Sequence, residues 1–272
     1  MQRTSERGRP ELRARTFRCM GTVVSLTVPV GSEDGTSAAD AALADASSVV
    51  EQRFVELDAR FSLYRPESEA SRLASGELSL RQASLEFRNC YADAAEWRLR
   101  TEGAFTPERP DGVPDLSGLV KGFAIKEAGA LLHSRGLSDW CLNAGGDVLV
   151  AGSPIAGSRA AWQAGIVDPQ DRTTLIAAYP LGGRTGASAG ARALATSGSA
   201  ERGDHIWTQG AGGSEFRQVS VAAADIVTAD VLATAIVAGG VSMLNRATSG
   251  WDVEVLAVRN DGGILATAGF RS

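Results

Sequence analysis

The chain has 272 residues, of which 44% are hydrophobic and 22% charged, an ordinary globular composition that allows one large domain or two closely packed lobes. Its net charge of −5 argues against a general nucleic-acid-binding protein, because phosphate backbones require a basic surface. The N-terminus is charged with no apolar segment behind it, and no apolar run approaches ~20 residues, so we expect neither a secretory signal nor membrane insertion.

The first half of the chain mixes one strand with helices. A flexible tail is expected over 1–15 and one domain over 16–272. The apolar residues of the first helix recur at steps of three or four, which is helical spacing. The predicted elements are a strand over Phe17–Val30, a helix over Ser37–Phe61, an irregular polar segment over Ser62–Gly76, a helix over Leu85–Glu102 and a loop over Pro107–Pro114.

The second half is richer in strands. Gly136 and the pair Gly239-Gly240 are the expected helix stops. The predicted helices are Ser117–Arg135 and Asp225–Ala238, and the predicted strands are Trp140–Leu142, Val148–Val150, Gln163–Val167, Leu175–Leu181, Val219–Ala223 and a hairpin of Val253–Arg259 with Gly263–Ala268. Without a strict βαβ repeat, this mixture favours an α+β fold, which we expect as two packed lobes with the ligand cleft between them.

Several common sites have no support. The chain lacks GxxxxGK[ST], a GxGxxG after a strand, and GxSxG, which argues against P-loop, Rossmann and hydrolase-triad sites. Two histidines and no cysteine cluster argue against a structural zinc site. The widely spaced Cys19, Cys90 and Cys141 predict reduced thiols and a cytoplasmic location.

Two helices carry polar residues suited to phosphate or metal chemistry. Asp115 precedes the first turn of the helix over Ser117–Arg135, and Lys121 lies one turn in, where backbone N–H groups and the dipole favour a phosphate. A capped surface helix with an exposed lysine explains the same pattern. Asp230 and Thr234 share one face of an apolar helix, so a hard cation or a hydrogen-bond donor is expected beside the carboxylate.

Two further segments are ambiguous. Thr196-Ser197-Gly198 is followed by His205, a residue type suited to a general base near neutral pH, although a histidine beside a tryptophan is also an ordinary packing residue. Gly145-Gly146-Asp147 between two strands is either a tight turn or a close approach to a ligand.

Taken together and in this order, these segments resemble the FAD:protein FMN transferase family, the ApbE-type flavin transferases. Any one motif is weak, but six in register are specific, and they cover about residues 17–268. The matching segments are Phe17-Arg-Cys-Met-Gly-Thr22, Ser62-Leu-Tyr64 with Glu67-Ser-Glu-Ala-Ser-Arg-Leu73, Asp115-Leu-Ser-Gly-Leu-Val-Lys-Gly-Phe123, Asn143-Ala-Gly-Gly-Asp147, Ala195-Thr-Ser-Gly198 with His205-Ile206, and Asp230-Val-Leu-Ala-Thr234.

The resemblance implies a role for each matching residue. Mg²⁺ would lie between the backbone at Gly118 and the side chains of Asp230 and Thr234, with Lys121 near the diphosphate and His205 as the base for the acceptor hydroxyl. The catalytic set would be His205, Lys121 and Asp230, and FAD would contact Met20, Tyr64, Asp115, Lys121, Gly145, Gly146 and Ser197. The implied partners are FAD, as substrate, and a target flavoprotein with an exposed Ser/Thr acceptor.

The chain also departs from the family pattern. The family has a longer segment before the Asp115 motif, so one wall of the FAD site is shortened here, and the residues after His205 differ. Three readings stay open from the sequence: a transferase that modifies another protein, a Mg²⁺-dependent FAD pyrophosphatase that releases FMN and AMP, and a non-catalytic FAD-binding protein.

Overall fold

The computed structural model describes residues 11–30, 36–182, 190–198 and 214–271. The strands are β1 (Leu12–Cys19), β2 (Thr22–Pro29), β3 (Trp140–Ala144), β4 (Asp147–Ala151), β5 (Trp162–Val167), β6 (Leu175–Leu181), β7 (Ala193–Gly198), β8 (Phe216–Ala223), β9 (Glu254–Arg259) and β10 (Ile264–Ala266). The helices are α1 (Thr36–Phe61), α2 (Glu69–Ala74), α3 (Leu85–Arg100), α4 (Ser117–Ser134) and α5 (Ile226–Gly250), and a 3-10 turn over Ala268–Phe270 follows β10.

The N-terminal region is a hairpin rather than the single strand predicted over Phe17–Val30. β1 pairs with β2 in antiparallel register, and the turn between them is Met20-Gly21. Both turn residues have positive φ, 50° at Met20 and 69° at Gly21, which allows a two-residue reversal. The predicted tail over 1–15 is also too long, because β1 already begins at Leu12.

Three of the four predicted helices are confirmed with small shifts at their ends. α1 and α4 match the predicted ranges to within one residue, and Gly136 has the positive φ of 81° expected after a helix. α3 ends at Arg100, two residues earlier than predicted. The segment predicted as irregular contains the short helix α2, whose first turn is capped by the Ser68 side chain.

Eight strands form one antiparallel sheet in the order β1-β2-β3-β4-β7-β8-β9-β10, and β5 pairs with β6 in a separate two-stranded sheet. Sequence analysis did not predict β7, because Ala193–Gly198 ends in Thr-Ser-Gly and reads as a loop. The helices and the antiparallel sheet confirm the predicted α+β class.

Two apolar cores lie on opposite faces of this sheet. The larger core contains Phe54 of α1, Leu119 of α4 and Leu232 of α5, packed against the strands. The smaller core joins the two-stranded sheet, through Trp162 and Tyr179, to the central strands. The protein is therefore layered, with helices on one face of the large sheet and β5–β6 on the other.

The helix α5 extends beyond its predicted end. A backbone break at Gly240, with φ 62° and ψ −153°, marks the expected stop, but the chain resumes helical geometry and continues to Gly250. By length and composition α5 could span a membrane, so the expectation that no apolar segment reaches that length is wrong. Most of its apolar window is buried against the sheet and α4, as in the core helix of a globular protein.

Candidate functional site

A cleft of about 1090 Å³ opens at one end of the large sheet. Its walls come from the β1–β2 turn, the end of α1, the start of α4, the β3–β4 turn and the end of β7. The residues that line it are Met20, Gly21, Thr22, Asp58, Phe61, Ser62, Leu63, Tyr64, Arg65, Arg109, Asp115, Ser117, Val120, Lys121, Gly145, Arg172, Thr196 and Gly198. Its volume is slightly above the ~300–1,000 Å³ range of small-molecule sites, so it accommodates a large ligand.

The floor of the cleft carries a buried charged cluster. Lys121, 14% exposed, forms an ion pair with the fully buried Asp147, and its Nζ lies 3.8 Å from Oδ1 of the buried Asp230. Burying an ionised group is costly unless an opposite charge or hydrogen bonds compensate it. Two carboxylates beside one ammonium leave an excess negative charge in this cluster, which suits a further cation.

Asp147 connects three elements at this point. Its Oδ1 accepts a hydrogen bond of 3.0 Å from the backbone N–H of Thr196 in β7, and its Oδ2 contacts Lys121 of α4. Sequence analysis named the Gly-Gly-Asp segment but assigned no role to this carboxylate. Asp147 comes directly after the predicted glycine turn and before an apolar strand, and this position is the signal in the sequence that could have indicated a buried carboxylate.

The helices α4 and α5 approach closely beside the cluster. A methyl group at Gly122 would lie 3.3 Å from Asp230 Oδ2 and 3.3 Å from the Cα of Val227, so the glycine permits this contact. Thr234, one turn after Asp230, shares a hydrogen bond of 3.1 Å with the buried Ser197 of β7. Asp230, Thr234 and Ser197 are thereby brought to the same region of the fold.

The start of α4 and the β3–β4 turn form the adjoining wall. Asp115 Oδ1 accepts a hydrogen bond of 2.9 Å from the N–H of Ser117, which fixes the first turn of the helix. Gly145 has a φ of 65°, and a methyl group there would collide with Thr22. Asn143 Oδ1 accepts from the N–H of Gly146 at 2.9 Å, so the turn is held by its own side chain.

Part of the cleft lining is apolar. Met20, on the β1–β2 turn, lines the cleft with Phe61 and Leu63 from the end of α1. Tyr64 also lines it and is 83% exposed, which leaves its ring accessible at the mouth. An exposed aromatic side chain beside apolar ones suits a flat ring system.

Two predicted residues need separate mention. Gly118 lies in the first turn of α4, one turn before Gly122, and a methyl group there would lie 3.3 Å from the ring of Phe105. His205 falls in 199–213, outside the described residues. Its proposed role therefore stays a prediction, whereas the structure brings Lys121, Asp115, Met20, Tyr64 and the Gly145 turn to one cleft.

The donor set at the floor fits a hard divalent cation. Asp230 supplies a buried carboxylate and Thr234 a hydroxyl, and such oxygen ligands are those that Mg²⁺ and Mn²⁺ prefer. Among the described residues there is no group of three or more His, Cys, Asp or Glu side chains placed to hold a metal. The predicted metal site consists of one carboxylate, one hydroxyl and one backbone carbonyl, so it does not require a group of three such side chains.

A charged cluster of Lys121, Asp147 and Asp230 at the floor of a large cleft defines the candidate ligand site of this α+β protein. The sequence profile of the ApbE family matches residues 20–111 and 108–256. The chain belongs to the ApbE family. No curated protein sequence matches it at a significant level.

Solved structures with this fold cover nearly the whole chain. The flavin transferase ApbE from Vibrio cholerae superposes with a TM-score of 0.72 at 19% identity, covering 97% of this chain and 99% of that one. The ApbE protein from Thermotoga maritima gives 0.73 at 18% identity, covering 96% and 98%. The apo flavinyl transferase ApbE from Pseudomonas stutzeri gives 0.73 at 17% identity, covering 97% of both chains.

Proposed function

We propose that this chain is a Mg²⁺-dependent, cytoplasmic flavin transferase that cleaves the FAD pyrophosphate, attaches FMN to a Ser/Thr hydroxyl of a target flavoprotein and releases AMP. The ApbE family membership supports a transferase that uses FAD. The observation that carries the proposal is the buried cluster of Lys121, Asp147 and Asp230 at the floor of a large cleft. That arrangement suits a ligand with adjacent phosphates.

Different residues of the cleft would contact different parts of FAD. Met20 and Tyr64 would contact the flavin ring, and Asp115 and the Gly145 turn would line the centre of the ligand. Lys121, oriented by Asp147, would place its ammonium against the pyrophosphate and stabilise the charge that develops there as AMP leaves. Because the ammonium is already held in place by a buried carboxylate, it costs little reorganisation during the reaction.

The metal would be held by the side chains of Asp230 and Thr234 and the carbonyl of Gly118. When bound, Mg²⁺ would neutralise negative charge on the phosphates. The acceptor oxygen forms a bond to the FMN phosphorus as the bond from that phosphorus to the bridging oxygen breaks, and AMP leaves with the bridging oxygen. His205 is the proposed acceptor of the hydroxyl proton.

The direct test is incubation with FAD, MgCl₂ and a purified flavoprotein with an exposed Ser/Thr acceptor, followed by intact mass measurement and chromatography of the nucleotides. We expect one FMN per acceptor and one AMP per FMN transferred. The control is the same acceptor with the hydroxyl residue replaced by alanine. Equal AMP release with no mass gain on any acceptor would identify an FAD pyrophosphatase, and FAD binding without AMP release a non-catalytic protein.

A further inference from the structure

The residues of β7 face the two sides of the large sheet in turn. Ala193 and Ala195 belong to the larger core, on the side of the helices, whereas Leu194 belongs to the smaller core, on the side of β5 and β6. Successive side chains of a strand point to opposite faces of its sheet. By this alternation Ser197 faces the helices and Thr196 faces the other side.

The neighbouring strand β8 agrees with this assignment. In the antiparallel register Ser197 pairs with Val219, and Thr196 pairs with Ser220. Directly opposed residues lie on the same face of a sheet. Val219 belongs to the larger core, and the hydroxyls of Thr196 and Ser220 share a hydrogen bond of 2.8 Å. Ser197 therefore has a different environment from Thr196 and Gly198, the residues on either side of it, which line the cleft.

Ser197 meets α5 at a residue expected to bind the metal. Its hydroxyl lies 3.1 Å from the hydroxyl of Thr234, and the two share a hydrogen bond. Ser197 is only 2% exposed, whereas Thr234 is half-buried between the fully buried Ala233 and Ala235. Thr234 is thus the more accessible member of the pair, and Ser197 is the member enclosed by the protein.

The chemistry of a hydroxyl gives this contact a direction. A threonine hydroxyl has one proton and two lone pairs, so a hydroxyl that turns a lone pair toward a cation must donate its proton elsewhere. The Ser197 oxygen is an acceptor at the required distance. In a helix, threonine divides between two rotamers because its hydroxyl can also bond to a backbone carbonyl of the preceding turn. A bond to Ser197 competes with that alternative and selects one rotamer.

The strand β7 also supports the rest of the charged cluster. The backbone N–H of Thr196 donates to Asp147 at 3.0 Å, and Asp147 contacts Lys121. Thr234 lies four residues after Asp230 in α5, so their side chains share one helix face. Two consecutive residues of one strand therefore contact both sides of the cluster, Thr196 through its backbone and Ser197 through its side chain.

We propose that Ser197 is a positioning residue for the metal. It accepts a hydrogen bond from Thr234 and holds that hydroxyl with a lone pair directed at the cation, and it does not contact FAD. The inference rests on the proposed function, because it requires Thr234 to be a metal ligand. Partners that orient a metal ligand typically contribute about 10- to 100-fold to metal affinity, and we expect an effect of that size here.

The test is a double-mutant cycle on metal affinity. Ser197→Ala removes the acceptor, and Thr234→Val removes the hydroxyl ligand and keeps the shape of the side chain. Binding of Mn²⁺ to the metal-free chain is measured from the electron paramagnetic resonance signal of free Mn²⁺. We expect about 10- to 100-fold weaker binding in Ser197→Ala. Addition of Ser197→Ala to Thr234→Val should cause no further loss, because the serine then has no ligand to position.

Two further variants separate positioning from a general effect on the sheet. Ser197→Thr keeps the hydroxyl, and a β-branched residue suits a strand, so Mn²⁺ affinity should be retained. Ser220→Ala removes another buried hydroxyl with a hydroxyl partner, from the neighbouring strand and on the other face. It should lower the melting temperature about as much as Ser197→Ala and leave Mn²⁺ affinity unchanged. An equal loss of Mn²⁺ affinity in Ser220→Ala would contradict the specific role of Ser197.

FAD binding in EDTA, followed by flavin fluorescence, is the second measurement. Ser197→Ala should bind FAD under these conditions as the unchanged chain does, because the serine acts only through the metal ligand. Weaker FAD binding in this variant would make Ser197 a cofactor contact and overturn the inference.

The remaining outcomes distinguish this inference from the proposed function. Unchanged Mn²⁺ affinity in Ser197→Ala would overturn the inference and leave the proposed function standing. Additive losses in the double variant would overturn it as well, since Ser197 would then act independently of Thr234. Failure of the unchanged chain to bind Mn²⁺ would overturn the metal site of the proposed function, and this inference with it.

Discussion

Asp147 accepts a backbone hydrogen bond from Thr196 with one carboxylate oxygen and contacts the Lys121 ammonium with the other, while fully buried. Its charge is thus compensated on both sides by groups from different elements. Removal of one partner of a buried ion pair leaves the other uncompensated, which typically destabilises by about 3–5 kcal/mol. The pair is accordingly a sensitive point of both the site and the fold.

We expect Asp147→Ala to lower the free energy of unfolding by about 3–5 kcal/mol, and Asp147→Asn to lower it less because the amide oxygen still accepts from Thr196. Urea unfolding measures the free energy of unfolding of both variants. Asp45→Ala removes the partner of Arg135 in an exposed pair and should cost about 0–1 kcal/mol. Similar losses from Asp147→Ala and Asp45→Ala would show that the buried pair contributes no more than a surface one.

Asp230→Asn should abolish Mg²⁺-dependent turnover and leave the fold intact, because it removes the anionic ligand and keeps the shape. Mn²⁺ should replace Mg²⁺ in the unchanged chain, since both prefer oxygen ligands. AMP release with and without metal measures the effect. The control is Asp225→Asn at the N-cap of α5, because asparagine caps a helix about as well as aspartate. Normal activity of Asp230→Asn would remove this residue from the metal site.

His205→Ala should lose most FMN transfer, by about 10²–10⁴-fold, and retain nearly normal FAD affinity, because a base contacts the acceptor rather than the cofactor. Transfer and FAD binding are measured side by side. His133→Ala, in the last turns of α4, is the matched control and should behave as the unchanged chain does. Loss of FAD binding with His205→Ala would place this residue in the cofactor pocket instead.

Gly145→Ala should destabilise more than Gly146→Ala. Both glycines have positive φ, 65° and 97°, so a methyl group costs about 1–2 kcal/mol at either position. At Gly145 the methyl group also collides with Thr22, whereas at Gly146 it meets nothing within 4 Å. Thermal unfolding of the two variants measures the difference. Equal melting temperatures would mean that the β1–β2 hairpin shifts away without cost.

Cys90 and Cys141 should resist alkylation in the folded protein. Burial raises the pKa of each thiol to about 12, so almost no thiolate, the reactive form, exists at neutral pH. Iodoacetamide labelling at pH 7.5, followed by mass spectrometry, should modify both only after denaturation. Rapid labelling of Cys141 in the folded chain would show that β3 is open to solvent.

The periodic helices and the α+β class could be predicted because their apolar residues repeat along the chain itself. The α1 and α4 ranges follow from that repeat and from glycine stops such as Gly136. β7 could not be predicted in the same way, because its polar Thr196-Ser197 end is stabilised by Ser220, Thr234 and Asp147, which are distant in sequence.

Contacts between residues distant in sequence also limit how much of the candidate site could be predicted. Lys121 and Asp230 stand out from the sequence because each is a charged residue whose immediate neighbours in its helix are apolar or glycine. Asp147 looks like part of a turn until the fold shows that its carboxylate is buried. Arg109 and Arg172 are ordinary loop arginines in a chain with many arginines, so only their positions in the cleft distinguish them.

The central strands β4 and β7 are joined by few backbone pairs. Their register comprises Val148 with Leu194 and Leu149 with Ala193, and beyond this the Asp147 side chain takes the place of a backbone carbonyl for the Thr196 N–H. The backbone pairing between β4 and β7 therefore ends at the floor of the cleft, where the Asp147 carboxylate links the two strands instead. Because that carboxylate also contacts Lys121, one side chain both links the two central strands and positions the ammonium of the charged cluster.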